Sequence, residues 1–187
     1  MRIICGQYKG RKYSGAIPEG IRPTTDNLRE SIFNILNNYT DFVNLVVADI
    51  CAGTGFMGFE ALSRGASHCY FFEKSKKTVE LIKIIASQFK IENCLVITGD
   101  ALKKLKSFPQ DQNNVIFDLI FFDPPYDSNL YNSVINSIYN NDLLKKEGLL
   151  VIEQPSTLNL ILPKTYIIIN ERIFGSTKLL IIRNVKP

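Results

Sequence analysis

From Val46 onward, short apolar runs alternate with stretches whose apolar residues recur every three or four positions, a pattern of alternating strands and helices. Val46–Ile50, Cys69–Glu73, Leu95–Thr98, Phe117–Phe122 and Gly148–Glu153 predict five strands. Between them the pattern predicts helices from the glycine-rich segment to about Arg64, over Lys76–Phe89, in a short basic stretch after Ala101, and near Tyr131–Tyr139. Two β-branched runs, Tyr166–Ile173 and Lys178–Arg183, joined by Phe174-Gly175-Ser176-Thr177, predict a closing hairpin. Together these describe an α/β protein with a mostly parallel seven-stranded sheet, helices on both faces and a C-terminal antiparallel hairpin.

The first residues follow another rule. Residues 2–15 alternate and turn, with Gly6 and Gly10 bracketing the turn, so a small β-hairpin is expected. An isolated hairpin is marginal in water, so this one must pack on the body or order on a ligand. An irregular piece with Pro18, Gly20 and Pro23 follows, and Asp26 is read as the N-cap of an amphipathic helix. Leu28, Ile32, Ile35, Leu36 and Tyr39 form its apolar stripe, leaving Arg29, Glu30 and Asn34 on the other face. The chain thus divides into an arm, residues 1–25, and a domain with its leading helix, residues 26–187.

Composition narrows the class. With 45% hydrophobic and 21% charged residues over 187 positions, the chain reads as a soluble globular protein with one sizeable core. No apolar window approaches the roughly 20 residues of a membrane span, and the N-terminus lacks a signal-peptide core, so a cytoplasmic protein is expected. Cys5, Cys51, Cys69 and Cys94 are scattered and His68 stands alone, which argues against a metal site or a disulfide frame. The net charge of +4 lies entirely in residues 1–29, where Arg2, Lys9, Arg11, Lys12, Arg22 and Arg29 face only Glu19 and Asp26. A basic arm on a neutral body suggests a polyanionic partner. Arg22 and Arg29 flank a bend where Thr24 and the backbone could help grip a phosphate.

The candidate chemistry sits at strand ends, where open parallel sheets bind ligands. Gly53, Gly55 and Gly58 fit G-x-G-x-x-G between a strand and a helix, a loop shared by several nucleotide cofactors. Asp49 in the first strand suits an ammonium group and would repel a pyrophosphate. Glu73 ends the second strand and could take both hydroxyls of a ribose; Asp100 and the Ala101 N–H could bind an adenine edge. With Cys51, Ala52, Gly53, Gly55 and Lys74 these form the candidate cofactor site, and S-adenosylmethionine fits the set better than a dinucleotide. After the fourth strand comes Asp123-Pro124-Pro125-Tyr126. Its stiff backbone leaves the Pro124 carbonyl free to accept, beside the Asp123 carboxylate and the flat face of Tyr126. That is a cradle for a planar group bearing an amine, such as a nucleobase.

The late hairpin resembles the Rossmann-like class I methyltransferase fold more than that of a dinucleotide dehydrogenase, and Asp-Pro-Pro-Tyr resembles the motif of methyltransferases acting on exocyclic amines of nucleobases. Arg2-Ile3-Ile4, Lys9-Gly10-Arg11-Lys12, Arg22-Pro23-Thr24-Thr25-Asp26 with Arg29-Glu30, Ala52-Gly53-Thr54-Gly55, Gly99-Asp100-Ala101, Asp123-Pro124-Pro125-Tyr126 and Phe174-Gly175 together resemble the bacterial RsmD family of small-subunit rRNA guanine-N2 methyltransferases. Cys5 stands where that family usually has glycine, and Lys9 where arginine is common. The resemblance implies a monomer that takes a methyl group from S-adenosylmethionine, without a metal, to one guanine of 16S rRNA on the assembling small subunit. It makes Asp123, Pro124, Pro125 and Tyr126 catalytic, and Arg2, Lys9, Arg11, Lys12, Arg22, Thr24 and Arg29 the RNA grip. A DNA adenine-N6 methyltransferase, and an RNA-binding assembly factor without catalysis, are the competing readings.

Overall fold

The structure, a computed structural model, describes residues 1–21, 24–112, 114–125 and 130–187. Five helices and seven strands follow in order: α1 (Asp26–Leu36), β1 (Val46–Ile50), α2 (Phe56–Ser63), β2 (His68–Glu73), α3 (Lys76–Phe89), β3 (Cys94–Thr98), α4 (Ala101–Asp111), β4 (Phe117–Phe122), α5 (Tyr131–Asn140), β5 (Leu144–Pro155), β6 (Tyr166–Phe174) and β7 (Thr177–Asn184). One sheet contains all seven strands in the order β3-β2-β1-β4-β5-β7-β6. β1 through β5 are parallel, and β7 runs antiparallel to both β5 and β6. The order reverses at β1, flanked by β2 and β4, so the ligand crevice opens above the carboxyl ends of β1 and β4.

Successive strand residues face opposite sides, and both sides are apolar. Val47, Phe71, Phe121 and Val151 pack on one face with Phe33, Phe59 and Phe89; Ala48, Phe72, Phe122 and Ile152 pack on the other with Phe108 and Ile135. Helix α2 lies close against the sheet at Gly58, where an added Cβ would come within 2.3 Å of the Phe71 ring. That requirement places the start of α2, and the loop before it, over β1 and β2.

The structure corrects the reading of the N-terminal part. Thr25, not Asp26, caps α1, its Oγ1 accepting the Leu28 N–H, and Asp26 is the first helical residue. Arg29, expected on the solvent face to grip RNA, is fully buried with Ile32, Phe33 and Leu36. Its guanidinium donates to Asp26 Oδ1 at 3.0 Å and to the Arg2 and Thr24 carbonyls, and it faces the fully buried Glu60 at 3.8 Å. A buried cation persists only when paired, and these partners are the physical reason Arg29 turns inward.

The arm is joined across the turn by the antiparallel bridge of Arg2 with Lys12 and by the Ile3–Arg11, Gly10–Ile3 and Tyr13–Met1 backbone hydrogen bonds, and it lies on α2. Glu60 accepts the Ile4 and Cys5 N–H groups at 2.8 and 3.0 Å as well as Arg64 Nε, and the Gln7 N–H reaches the Ser63 carbonyl at 2.7 Å. Ile3 is buried in the core on that side of the sheet. Of the alternatives posed by its sequence, packing on the body is the one realised. Among the described residues no helix is long and apolar enough to cross a membrane.

Candidate active site

A cavity of about 630 Å³ opens at the switch point and is lined from β1, β2, β5 and β7 and the segments that follow β1 to β4. Its size is that of an ordinary small-molecule site. Pro18, Ile21, Thr24 and Leu28 close one side, so the segment linking the arm to α1 forms part of the wall.

The glycine loop is drawn together by its neighbours. Cys51, Gly53 and Gly55 adopt φ of 61°, 53° and 76°, and the Gly55 N–H closes the turn on the Ala52 carbonyl at 2.7 Å. Left-handed backbone costs a glycine little and an L residue more, so Cys51 holds the strained position. Glu73 ties this loop to the next: its Oε2 accepts the Gly53 N–H at 3.0 Å and its Oε1 the Ser75 N–H at 2.8 Å. Each oxygen retains a second lone pair for a ligand hydroxyl. Asp100 caps α4 by accepting the Lys103 N–H at 3.0 Å, and both Asp100 and Ala101 line the cavity. Lys74 also lines the cavity, exposed at its rim.

Asp49 is 4% exposed and accepts the Gly58 N–H at 3.0 Å. Burial, opposed by that hydrogen bond and reinforced by Asp123 and Glu73, raises its pKa to about 8. Burial likewise raises Asp123 to about 6, although its side chain keeps solvent contact through the cavity mouth. The Cys51 thiol is pushed up to about 12, chiefly by burial, and is no nucleophile near neutral pH. The cavity therefore disfavours ionisation of its acids, and a cationic ligand would favour it.

The structure brings together Asp49, Cys51, Ala52, Gly53, Glu73, Lys74, Asp100, Ala101, Asp123, Pro124 and Pro125 along one cavity. Gly55 sits directly behind the loop as the left-handed N-cap residue of α2. Tyr126 and Arg22 lie outside the described residues. Arg2, Lys9 and Lys12 are exposed, Arg11 stacks on Tyr8 with 4.5 Å from its guanidinium carbon to the ring centroid, and Thr24 lines the cavity.

Two wall residues escaped the sequence reading. Thr78, 1% exposed at the start of α3, has an Oγ1 with no hydrogen-bond partner among the described residues. Glu153, 8% exposed near the end of β5, is raised to about 8 by burial and by the charges of Asp123 and Asp49. An acid closing an apolar strand was the signal that marked Glu73, and Leu149-Leu150-Val151-Ile152-Glu153 carries it too.

The orphaned Thr78 hydroxyl, the buried Asp49 carboxyl and acids at three strand ends fit a ligand with a cationic amino-acid end, a ribose and an adenine. The sheet order and this crevice are those of the class I methyltransferase fold. A chain solved in complex with SAH shares the fold at 14% identity, with a TM-score of 0.67 over 83% of this chain and 49% of that one. The profile of the family described as conserved hypothetical protein 95 matches residues 1–183. Ribosomal RNA small subunit methyltransferase D of Haemophilus influenzae is 36% identical over 177 residues, covering 94% of this chain and 89% of the relative. The solved structure of yhhF from Escherichia coli superposes with a TM-score of 0.84 at 29% identity, covering 98% of this chain and 97% of that one. The chain belongs to the RsmD family of ribosomal RNA small subunit methyltransferases.

Proposed function

We propose that this protein transfers a methyl group from S-adenosylmethionine to the exocyclic N2 amine of one guanine in 16S rRNA. The observation that supports this most strongly is that Asp123 and Pro124 share a cavity with Asp49, Glu73 and Asp100, so an amine acceptor and a cofactor cradle face one space. S-adenosylmethionine supplies an electrophilic methyl on a cationic sulfur. Asp49 would hold its amino-acid end, Glu73 its ribose, and Asp100 with the Ala101 N–H its adenine.

An aromatic amine is a poor nucleophile because its lone pair is delocalised into the ring. Accepting hydrogen bonds from its two N–H groups, one at the Asp123 carboxylate and one at the Pro124 carbonyl, turns the lone pair out of the ring plane toward the methyl group. A new N–C bond forms as the S–C bond breaks, and the nitrogen then sheds a proton, which Asp123 can accept. Pro125 stiffens the turn, and Tyr126 would stack on a base turned out of its helix.

Arg2, Lys9, Arg11, Lys12, Arg22 and Thr24 are the proposed RNA contacts of an arm spanning residues 1–25, with residues 26–187 as the methyltransferase domain. Arg29 is left out because its buried guanidinium is already paired. We take the protein to act as a cytoplasmic monomer on the assembling small subunit. Mass spectrometry of 16S rRNA nucleosides from cells with and without the protein tests the reading. Loss of N2-methylguanosine supports it; unchanged rRNA, with methyl transfer to adenine in DNA instead, overturns it.

A further inference from the structure

Glu153 lines the same cavity as Asp123, Pro124 and Pro125 but has no part in the transfer described above. The last register pair of β4 and β5 is Phe122 with Ile152, so Asp123 and Glu153 are the next residues on neighbouring strands. Asp49 and Glu153 follow Val47 and Val151 by two residues and so project to the same face of the sheet. β5 lies on the far side of β4 from β1, β2 and β3, whose ends carry the cofactor acids. A group held at Asp123 therefore has the cofactor on one side and Glu153 on the other.

The surroundings of Glu153 define its charge. Asp123 after β4 and Asp49 on β1 are the acids that face it, and both disfavour its ionisation. On β7, Leu179 is its register partner and Lys178 is engaged by Glu171 of β6 at 3.5 Å. From α5, the Tyr131 hydroxyl donates to the Glu153 backbone carbonyl at 3.4 Å, and Glu153 lines the cavity. With its pKa raised to about 8, the side chain near neutral pH is a neutral acid with one O–H donor and one carbonyl acceptor.

We infer that Glu153 is a specificity-determining residue whose carboxyl reads the ring edge beside the amine, accepting from guanine N1–H and donating to guanine O6. A neutral carboxylic acid and this lactam edge are complementary, forming two parallel hydrogen bonds. Adenine held by its own amine offers only the bare N1 there and leaves the acid carbonyl without a donor, at the expense of a desolvated acceptor. The inference rests on the guanine reading proposed above.

The test uses purified protein and 16S rRNA carrying either guanine or 2-aminopurine at the modified position. 2-Aminopurine keeps the amine but lacks both N1–H and O6. The wild-type protein should prefer guanine by about 10- to 100-fold in kcat/KM. Glu153→Ala should bring the two substrates within about threefold of each other while still binding S-adenosylmethionine by calorimetry; Glu153→Gln, which keeps one donor and one acceptor, should restore the preference. The wild-type preference should fade as pH rises past about 8, the raised pKa of Glu153, and that of the Gln variant should not. An unchanged preference in Glu153→Ala, loss of cofactor binding there, or failure of Gln to rescue overturns the role of Glu153. Absence of N2-methylguanosine from the wild-type reaction overturns the guanine reading instead, and this inference with it.

Discussion

Glu73 holds Gly53 in place: the carboxylate at the end of β2 accepts the N–H of a glycine in the loop after β1, 3.0 Å away. Its other oxygen takes the Ser75 N–H, so one side chain ties together the loops over two strands and still presents lone pairs to the cavity. Glu73→Ala should therefore loosen the loop and remove a ribose contact, raising the Kd for S-adenosylmethionine by about 10- to 100-fold. Titration calorimetry checks this, and an unchanged Kd would remove Glu73 from the cofactor site.

Asp49 makes cofactor binding a proton-releasing event. Its pKa in the folded protein, about 8, lies above the ordinary value of 3.8, so it is mostly protonated near neutral pH until a cation arrives. Binding a cationic ligand lowers that pKa and expels up to about one proton. The calorimetric enthalpy at neutral pH should then vary with the ionisation enthalpy of the buffer; Asp49→Asn should abolish most of that variation and weaken binding. The same shift gives a sign for stability. A raised carboxyl pKa contributes stability that is full below about 4 and is lost as pH rises through about 8, so the ligand-free Asn variant should gain thermal stability over wild type toward alkaline pH.

Glu60 and Arg29 should behave as one unit. Removing the fully buried Glu60 leaves Arg29 with Asp26 as its remaining carboxylate partner and frees the Ile4 and Cys5 N–H groups. Glu60→Ala should lose about 3–5 kcal/mol in urea denaturation, the loss expected when one partner of a buried pair is deleted. A loss below about 1 kcal/mol would show that the arm and α1 hold without this pair.

The exposed cations of the arm should set the salt dependence of RNA binding. Replacing Arg11 and Lys12 by alanine should weaken binding and make the slope of log K against log salt shallower by about 1–2 units. Arg29→Ala should leave the slope of its folded fraction unchanged, because that guanidinium is already occupied. An unchanged slope in the arm variant would place the RNA elsewhere.

The parts of this architecture written in contiguous residues were legible in the sequence. Phe117–Phe122 and Lys76–Phe89 are the predicted bounds of β4 and α3, because an uninterrupted apolar run and a clean helical stripe need no distant information. Asp49, Glu73, Asp100 and Asp123, all lining the cavity, were marked by one rule, polarity at or near the end of an apolar strand. Features that depend on distant partners were not legible. Arg29 reads as a surface cation until Glu60, far along the chain, is folded against it. β5 begins at Leu144, before the expected Gly148, because Leu144 pairs with Phe117 ahead of an irregular stretch in which Glu147 has φ of 61°, and regular pairing resumes at Leu149. Glu153 was passed over although it obeys the rule that identified Glu73.

The central claim is that the carboxylate of Asp123 holds the accepting amine beside the cofactor, and the most direct measurement is single-turnover transfer of labelled methyl to unmodified 16S rRNA by Asp123→Ala at saturating S-adenosylmethionine. A fall of about 100-fold or more in the transfer rate is expected, with cofactor affinity changed little. Transfer at the wild-type rate would contradict it.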